Sequence, residues 1–236
     1  MDMNAALNAL ATSSPLLPSP AATKIALYGG WAMVLGCGSL FLANRLPRAY
    51  KLCMACGVMV WTLVPGVTSP AYWLGLAFQT PSLTTAGLCA SCLYAALQPS
   101  QMSGRLIGGH EERLLTILLI VGAALGWVLL LDALAWLPVS VYAWGFSSAA
   151  LACVTVMATL LWATFAETAG KPLANWLCPV LILFVLTLFV VARLPTGNVW
   201  DALLDPWLWV AMQLYLLKRL FWRNTAGTLN QPLAPE

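Results

Sequence analysis

The stretch of sequence that decides the fold runs from Leu52 to Gly104 and reads LCMACGVMVWTLVPGVTSPAYWLGLAFQTPSLTTAGLCASCLYAALQPSQMSG. These 53 residues contain no Asp, Glu, Lys or Arg. One helix needs roughly 20 apolar residues to cross a bilayer, so the stretch has room for two crossings. The turn-forming residues Val64-Pro65-Gly66 and Ser69-Pro70 divide it into two predicted spans.

Uncharged runs of the same kind occupy 25–44, 133–166 and 172–192. Charged residues make up 8% of the 236-residue chain and the mean hydropathy is +0.84, whereas a soluble domain would carry about 25% charged residues. The sequence therefore predicts an all-α fold, a polytopic transmembrane helix bundle of about seven spans. We place the predicted spans at 25–43, 52–68, 71–97, 114–136, 140–165, 173–192 and 206–222.

The Lys and Arg residues predict how the bundle is oriented. Of the 11 basic residues, all but Lys24 and Arg193 fall on one side of this threading, and the side rich in Lys and Arg is normally cytoplasmic. This predicts an external N-terminus and a cytoplasmic C-terminus. The last span is the least secure, because it could instead lie flat at the membrane interface. The short loops favour a bacterial cytoplasmic (inner) membrane.

The predicted domain organisation follows from the same threading. An external N-terminal tail covers 1–23, the transmembrane helical domain covers 24–223, and a cytoplasmic C-terminal tail covers 224–236. The basic residues lie at span ends, where topology explains them, so we expect the lipid bilayer and no nucleic acid as the surroundings. The single histidine, His110, and the absence of a nucleotide-binding fingerprint disfavour haem, metalloprotease and nucleotide chemistry, and we expect no cofactor.

Two CxxC pairs, Cys53/Cys56 and Cys89/Cys92, are the first candidate site. A spacing of three places both sulfurs of a pair on one helix face. The two helices are expected to pack as a hairpin, which would bring the pairs together near the cytoplasmic side. Four thiolates would suit Zn²⁺ or Cu(I), and two could form a redox couple. The alternative is that these cysteines are small apolar packing residues.

Three polar residues within the predicted spans, Asp132, Gln79 and Gln213, are candidates for a substrate path. A carboxylate in a membrane helix suggests a proton or cation site, but Asp132 lies close to Pro138 and could be solvated at the outer interface. The two glutamines, one of them just before the kink-forming Pro81, could line a cavity or hydrogen-bond neighbouring helices.

Gly122 and Gly126 form a GxxxG element in the fourth predicted span. Two glycines at this spacing let another helix backbone approach closely. The partner helix could belong to this chain, to another membrane protein or to a second copy of the chain.

Three functions remain open on the sequence. The favoured hypothesis is a non-enzymatic membrane anchor, assembly factor or accessory subunit of a larger complex, because recognisable catalytic groups are lacking. The second is a small permease or channel, which a polar cavity at mid-depth would favour. The third is a membrane thiol-redox or soft-metal protein, which four sulfurs in close contact would favour.

Overall fold

The computed structural model describes residues 17–98, 109–166 and 177–228. Within these ranges the fold is all-helical and contains no strand, which confirms the predicted class. The helices are α1 (Pro20–Leu42), α2 (Arg48–Leu63), α3 (Pro70–Phe78), α4 (Leu83–Leu97), α5 (Gly109–Ala133), α6 (Val141–Trp144), α7 (Ser148–Ala166), α8 (Leu177–Ala192), α9 (Val199–Leu203) and α10 (Pro206–Thr228).

Two of the described helices are long and apolar enough to cross a membrane, α1 and the segment Leu115–Ala133 of α5. The α5 segment is only 6% buried within the protein. A helix that is apolar all round and belongs to a water-soluble fold would be covered by its neighbours. The uncovered apolar surface of α5 therefore points to contact with lipid or with another apolar surface.

The first and last predicted helices are longer than the sequence suggested. Ser19 caps α1 by accepting a hydrogen bond from the backbone N–H of Ala22, and Pro20 takes the first helical position. Proline is well suited to that position because its missing N–H has no helical partner there. The helix thus begins inside the segment predicted as a tail, and α10 continues past the predicted end at 222 to Thr228.

The third predicted span is broken into α3 and α4. Pro81 lacks an N–H, and the hydroxyl of Ser82 starts a new helix by accepting from the N–H of Thr85 at 3.1 Å. The sequence predicts a kink at Pro81, whereas the chain leaves the helical conformation from Gln79 to Ser82. The fifth predicted span is divided in the same way, since Ser140 caps α6 and Ser147 caps α7.

Helix α1 occupies the middle of one helix group and packs against both α2 and α4. Gly36 marks the closest approach, because the side chains of Met59 from α2 and Leu93 from α4 both reach its surface. A second group packs α7 and α8 against α4 and α9. The buried apolar residues shared by this group are Leu83, Ala150, Ala158, Val185, Leu186, Phe189, Leu194, Val199 and Ala202.

The helices α5 and α10 form an antiparallel pair. Contacts join Gly126 to Trp209 at one end of the pair and Thr116 to Arg219 at the other. We call the end of the bundle that holds 64–69, 134–147 and 193–205 the outer end, after the predicted orientation. The opposite end, which holds 43–47 and the end of α4, is the inner end.

Candidate functional site

A buried carboxylate joins two helices near the break in the third predicted span. Asp205 is 9% exposed, and its two oxygens accept from the backbone N–H of Ser82 at 2.9 Å and of Leu208 at 2.8 Å. These donors lie at the starts of α4 and α10. Each helix N-terminus carries a partial charge of about +0.5, so the two together compensate the carboxylate.

The break lies level with the middle of α1. Trp31 is the central residue of α1 (Pro20–Leu42), and its indole Nε1 donates to the backbone carbonyl of Gln79 at 2.8 Å. One residue earlier, Gly30 packs against the ring of Pro81. The non-helical backbone of the break therefore lies beside the midpoint of a helix long enough to cross a membrane.

An open cavity of about 570 Å³ lies between the break and the segment that leads into α10. Its apolar walls include the aromatic side chains of Trp31, Phe78 and Trp207. The Phe78 and Trp207 rings meet edge to face with centroids 5.0 Å apart, and the Trp31 and Phe78 centroids are 6.4 Å apart. Cavities that hold small molecules typically enclose roughly 300–1,000 Å³, so this one is large enough.

The polar side of this cavity is acidic. Two carboxylates, Asp201 and Asp205, line it together with the side chains of Gln79, Thr80 and Thr196. Among the described residues, no Lys, Arg or His lines it. The cavity therefore combines an aromatic wall with negative charge.

Asp201 is held in place by two hydroxyl groups. Its Oδ2 accepts from the phenol of Tyr142 at 2.7 Å and from the hydroxyl of Thr196 at 2.5 Å. Burial, and then the hydrogen bond to Asp201, raise the pKa of Tyr142 from 10.0 to about 12, so the phenol keeps its proton and remains a donor at neutral pH. Within the described ranges, Oδ1 of Asp201 accepts no hydrogen bond and the carboxylate forms no ion pair.

Asn198 anchors the segment that carries Asp201. It is fully buried, its Nδ2 donates to the carbonyl of Tyr142 at 2.9 Å, and its Oδ1 accepts from the N–H of Trp200 at 2.9 Å. Opposite it, Gly145 leaves no room for a Cβ, which would overlap the Asn198 amide and the Trp200 ring. The loops 134–147 and 193–205 are thus joined by a continuous hydrogen-bonded network.

Backbone strain occurs in the cavity wall. Gln79 has φ 60° and ψ −154°, a combination that residues with a Cβ rarely adopt. Such a conformation costs about 1–3 kcal/mol and persists only where surrounding contacts impose it. The hydrogen bond from Trp31 to the Gln79 carbonyl is one such contact.

The three polar residues predicted for a substrate path lie in three different places. Gln79 lines the cavity described above, whereas Gln213 lines a second cavity of about 470 Å³ between α5 and α10, beside Thr116 and Arg219. Asp132 lines neither of them. Its Oδ2 accepts from the N–H of Tyr142 at 2.6 Å and from the Ser140 hydroxyl at 3.3 Å, so it stabilises the start of α6.

The structure gives the second CxxC pair a partner different from the expected one. Cys89 and Cys92 lie close to Cys37 on α1. The first pair, Cys53 and Cys56, is exposed on α2. Helix α1 packs against both of the helices that carry the two pairs. Among the described residues, no group of three or more His, Cys, Asp or Glu side chains is placed to hold a metal ion.

The GxxxG element contacts a helix of the same chain. Gly122 lies against the side chain of Met212, and Gly126 lies against the indole of Trp209. The Trp209 Nε1 also donates to the carbonyl of Ala123 at 3.0 Å. The two glycines therefore serve the pairing of α5 with α10, and a partner chain would have to use another face.

Several residues of the site were missed by the sequence reasoning, which treated Asp201 and Asp205 as parts of a loop between spans. One local signal was available, since Asp205 directly precedes Pro206, the order expected at a helix start. Comparisons with protein-family models, with curated proteins and with solved structures found no match to this chain.

Proposed function

We propose that this chain is a seven-span membrane protein of the small permease or channel class, which admits a small molecule to the cavity from the outer side. The observation that carries the proposal is the partly polar cavity that extends from the outer-end segment 193–205 to the level of the midpoint of α1, at the break between α3 and α4. A polar cavity at mid-depth is the feature expected to distinguish a permease from an anchor.

The broken helix supports the proposal on physical grounds. Inside a bilayer, backbone that leaves the helical conformation is tolerated only where it is buried in protein or lines a water-filled cavity. Transporters commonly build their substrate sites from interrupted helices near the bilayer midplane. Gln79, Thr80 and Pro81 line the cavity, and the N–H of the buried Ser82 is satisfied by Asp205.

The seven passes that we propose are α1, α2, α3 with α4, α5, α7, α8 and α10. The pairing of α10 with α5 over about half of its length supports a crossing helix over one that lies flat at the interface. This pairing runs from Trp209 in the first turn of α10 to Arg219, past the middle of the helix. The exposed apolar side chains on α5 and α8, such as Ile117, Val121 and Val191, would face lipid.

The accessory-subunit hypothesis and the thiol-redox or soft-metal hypothesis remain predictions. The exposed apolar surface of α5 suits lipid and a partner subunit equally well, so it does not favour an accessory role. For the thiol hypothesis, the described cysteines form a cluster of Cys37, Cys89 and Cys92, without the four-sulfur arrangement that zinc prefers.

Reporter fusions along the chain test the proposed threading. Each fusion reports whether its attachment point is in the cytoplasm or outside it. A cytoplasmic signal at Gly197 together with an external one at Asn224 would overturn the orientation. We expect cytoplasmic signals after Lys51, Gly104, Lys171 and Asn224, and external signals after Thr68, Val139 and Gly197.

Thiol labelling tests the water-filled cavity. In a chain whose seven native cysteines are replaced by Ser or Ala, Val210→Cys and Leu214→Cys are introduced singly, one turn apart on α10. Val210 lines the cavity, whereas Leu214 is 61% exposed and lines neither cavity described above. A membrane-impermeant maleimide added from outside should label Val210→Cys only, because the reaction needs a water-exposed thiolate.

Each other labelling result contradicts one part of the proposal. An inert Val210→Cys would mean that the cavity is not open to outer water. Strong labelling of Leu214→Cys would mean that this face of α10 is not in lipid. Maleimide added after solubilisation in denaturant should label both variants equally, which controls for expression and intrinsic reactivity.

A further inference from the structure

We propose that the cavity beside Gln79 binds a small organic cation, a ligand with an ammonium group. This inference rests on the proposed function, in that it assigns a ligand class to the same cavity. It is carried by the carboxylate of Asp201, which forms no ion pair with the described residues, by the aromatic walls, and by a described lining without Lys, Arg or His.

The two carboxylates of the cavity differ in how far they are compensated. Asp205 receives backbone N–H bonds from two helix starts, so it has little charge left to attract a ligand. Asp201 receives two hydroxyl hydrogen bonds on one oxygen, both from neutral groups. Asp201 is half-buried on the cavity wall, where the effective dielectric constant is below that of bulk water, so its unpaired charge attracts a cation more strongly than a fully exposed carboxylate would. Asp201 therefore supplies a negative charge that a cationic ligand would neutralise.

The aromatic walls favour a soft, organic cation over a hydrated metal ion. Trp31, Phe78 and Trp207 all line the same cavity as Asp201. An ammonium group placed over an aromatic face gains about 0.5–2 kcal/mol or more once it is desolvated. A metal ion would need several oxygen, nitrogen or sulfur ligands at short distances, and no such group is found among the described side chains.

An anionic ligand is disfavoured by the same geometry. Interrupted helices often hold anionic substrates at their exposed N-termini, but Asp205 already accepts from the starts of α4 and α10. A substrate carboxylate would meet the like charge of Asp201 and, among the described lining residues, no Lys or Arg. The protein's own carboxylate thus occupies the place of an anion.

Ligand binding to the purified full-length protein tests the inference. The probes are choline and its neutral isostere 3,3-dimethylbutan-1-ol, which has nearly the same shape but no charge. Binding is measured by calorimetry in a maltoside detergent that carries no ammonium group. We expect choline to bind and the neutral isostere to bind at least about tenfold more weakly, since only the charge differs.

Two variants locate the binding in the cavity. Asp201→Asn keeps an oxygen that can accept from Tyr142 and Thr196, and it should weaken choline binding about tenfold or more. Trp207→Leu should weaken it by about threefold or more through loss of the aromatic face. The matched control is Asp132→Asn, which makes the same change at the outer end but outside the cavity, and choline binding should be unchanged.

The results separate failure of this inference from failure of the proposed function. Equal binding of choline and its neutral isostere, or full choline affinity in Asp201→Asn, would overturn the cation assignment. If neither probe binds while Val210→Cys is labelled from outside, the cavity stands and the cation assignment is wrong. If Val210→Cys is also inert, the proposed function fails as well.

The ammonium group could belong to a free solute or to a lipid headgroup, and nanodiscs distinguish these two sources. Choline binding is compared in nanodiscs of phosphatidylglycerol alone and of phosphatidylglycerol with phosphatidylethanolamine. Equal choline affinity in both supports a free cation. Weaker choline binding in the presence of phosphatidylethanolamine supports occupation of the same site by an ammonium-bearing headgroup.

Discussion

The two ends of α4 are held by opposite charges in very different surroundings. At the outer end, the buried carboxylate of Asp205 accepts from the N–H of Ser82. At the inner end, the exposed guanidinium of Arg48 donates to the carbonyls of Leu97 at 2.6 Å and Gln98 at 2.8 Å. Both arrangements follow the helix dipole, which favours an anion at the N-terminus and a cation at the C-terminus.

The difference between these ends is burial and the number of helices that share the charge. Asp205 joins the starts of two helices that are far apart in sequence, and it is only 9% exposed. Arg48 acts on a single helix end and is itself exposed. We therefore expect the same electrostatic principle to matter much more at Asp205, because one buried carboxylate there serves two helix starts.

Removal of the Asp205 carboxylate should have the largest effect on stability. Asp205→Ala leaves two buried N–H groups without an acceptor, each costing about 1–3 kcal/mol, so we expect a loss of about 2–5 kcal/mol in the free energy of unfolding. The measurement is unfolding in mixed micelles of maltoside and dodecyl sulfate. Asp205→Asn keeps one acceptor oxygen and should lose less than Asp205→Ala.

A smaller loss in Asp205→Ala than in Arg48→Met would reverse the comparison. It would mean that the bonds from Asp205 to the starts of α4 and α10 contribute little to stability, and that α10 is held by its apolar contacts alone. Choline binding to Asp205→Asn should also survive better than binding to Asp201→Asn, because Asp205 is the compensated carboxylate.

The pairing of α10 with α5 offers a second way to disturb the position of α10. In Gly126→Ala the new methyl group would overlap the indole of Trp209, which must then give up its hydrogen bond to Ala123. Overpacking of this kind typically costs about 1–3 kcal/mol. The same unfolding assay should show a loss of this size.

Gly38→Ala in α1 is the matched control for this substitution. A Cβ at Gly38 has no other atom within 4 Å, so this change should be neutral or stabilising by about 0.5–1 kcal/mol through better helix propensity. If Gly126→Ala and Gly38→Ala behaved alike, the close contact between α5 and α10 would carry no energetic weight.

The helical class and the approximate helix positions were accessible from the sequence because they depend on local composition. Long uncharged runs and the turn signals at Pro65 and Pro70 can be recognised from neighbouring residues in the sequence alone. At Gln79 the sequence predicted only a kink. Pro81 indicates a lost N–H, but nothing local indicates that a new helix starts after Ser82.

The candidate site was less accessible because its contacts join distant parts of the chain. The bond from Ser82 to Asp205 spans 123 residues, and the bond from Tyr142 to Asp201 spans 59. No periodicity or spacing encodes such pairs. The surroundings of the cysteines were inaccessible for the same reason, since the sequence does not reveal that α1 packs against both α2 and α4.

The inner end of α4 should give a small effect that depends on salt. Arg48→Met keeps the apolar stem of the side chain and removes the two bonds to the end of α4. A cation at an exposed helix C-terminus contributes about 0.3–1 kcal/mol at low ionic strength. The loss should shrink between about 0.05 and 0.5 M salt as screening increases, whereas the Asp205→Ala loss should stay the same.

The smallest effect is expected for Asp132→Asn, the change that isolates burial from helix capping. Like Asp205, Asp132 accepts from a backbone N–H near a helix start, that of Tyr142. It serves one helix start instead of two, and Asn retains an oxygen that can accept the same bond. We expect a change within about 0.5 kcal/mol in the unfolding assay, as for most partly exposed substitutions. A loss equal to that of Asp205→Asn would mean that capping geometry, and not burial, determines how much these carboxylates contribute to stability.

The position of Asp132 can also be tested by chemical labelling. Strong labelling of Asp132 by an apolar carbodiimide at neutral pH, absent from the Asn variant, would contradict its interfacial position and make it a buried acid.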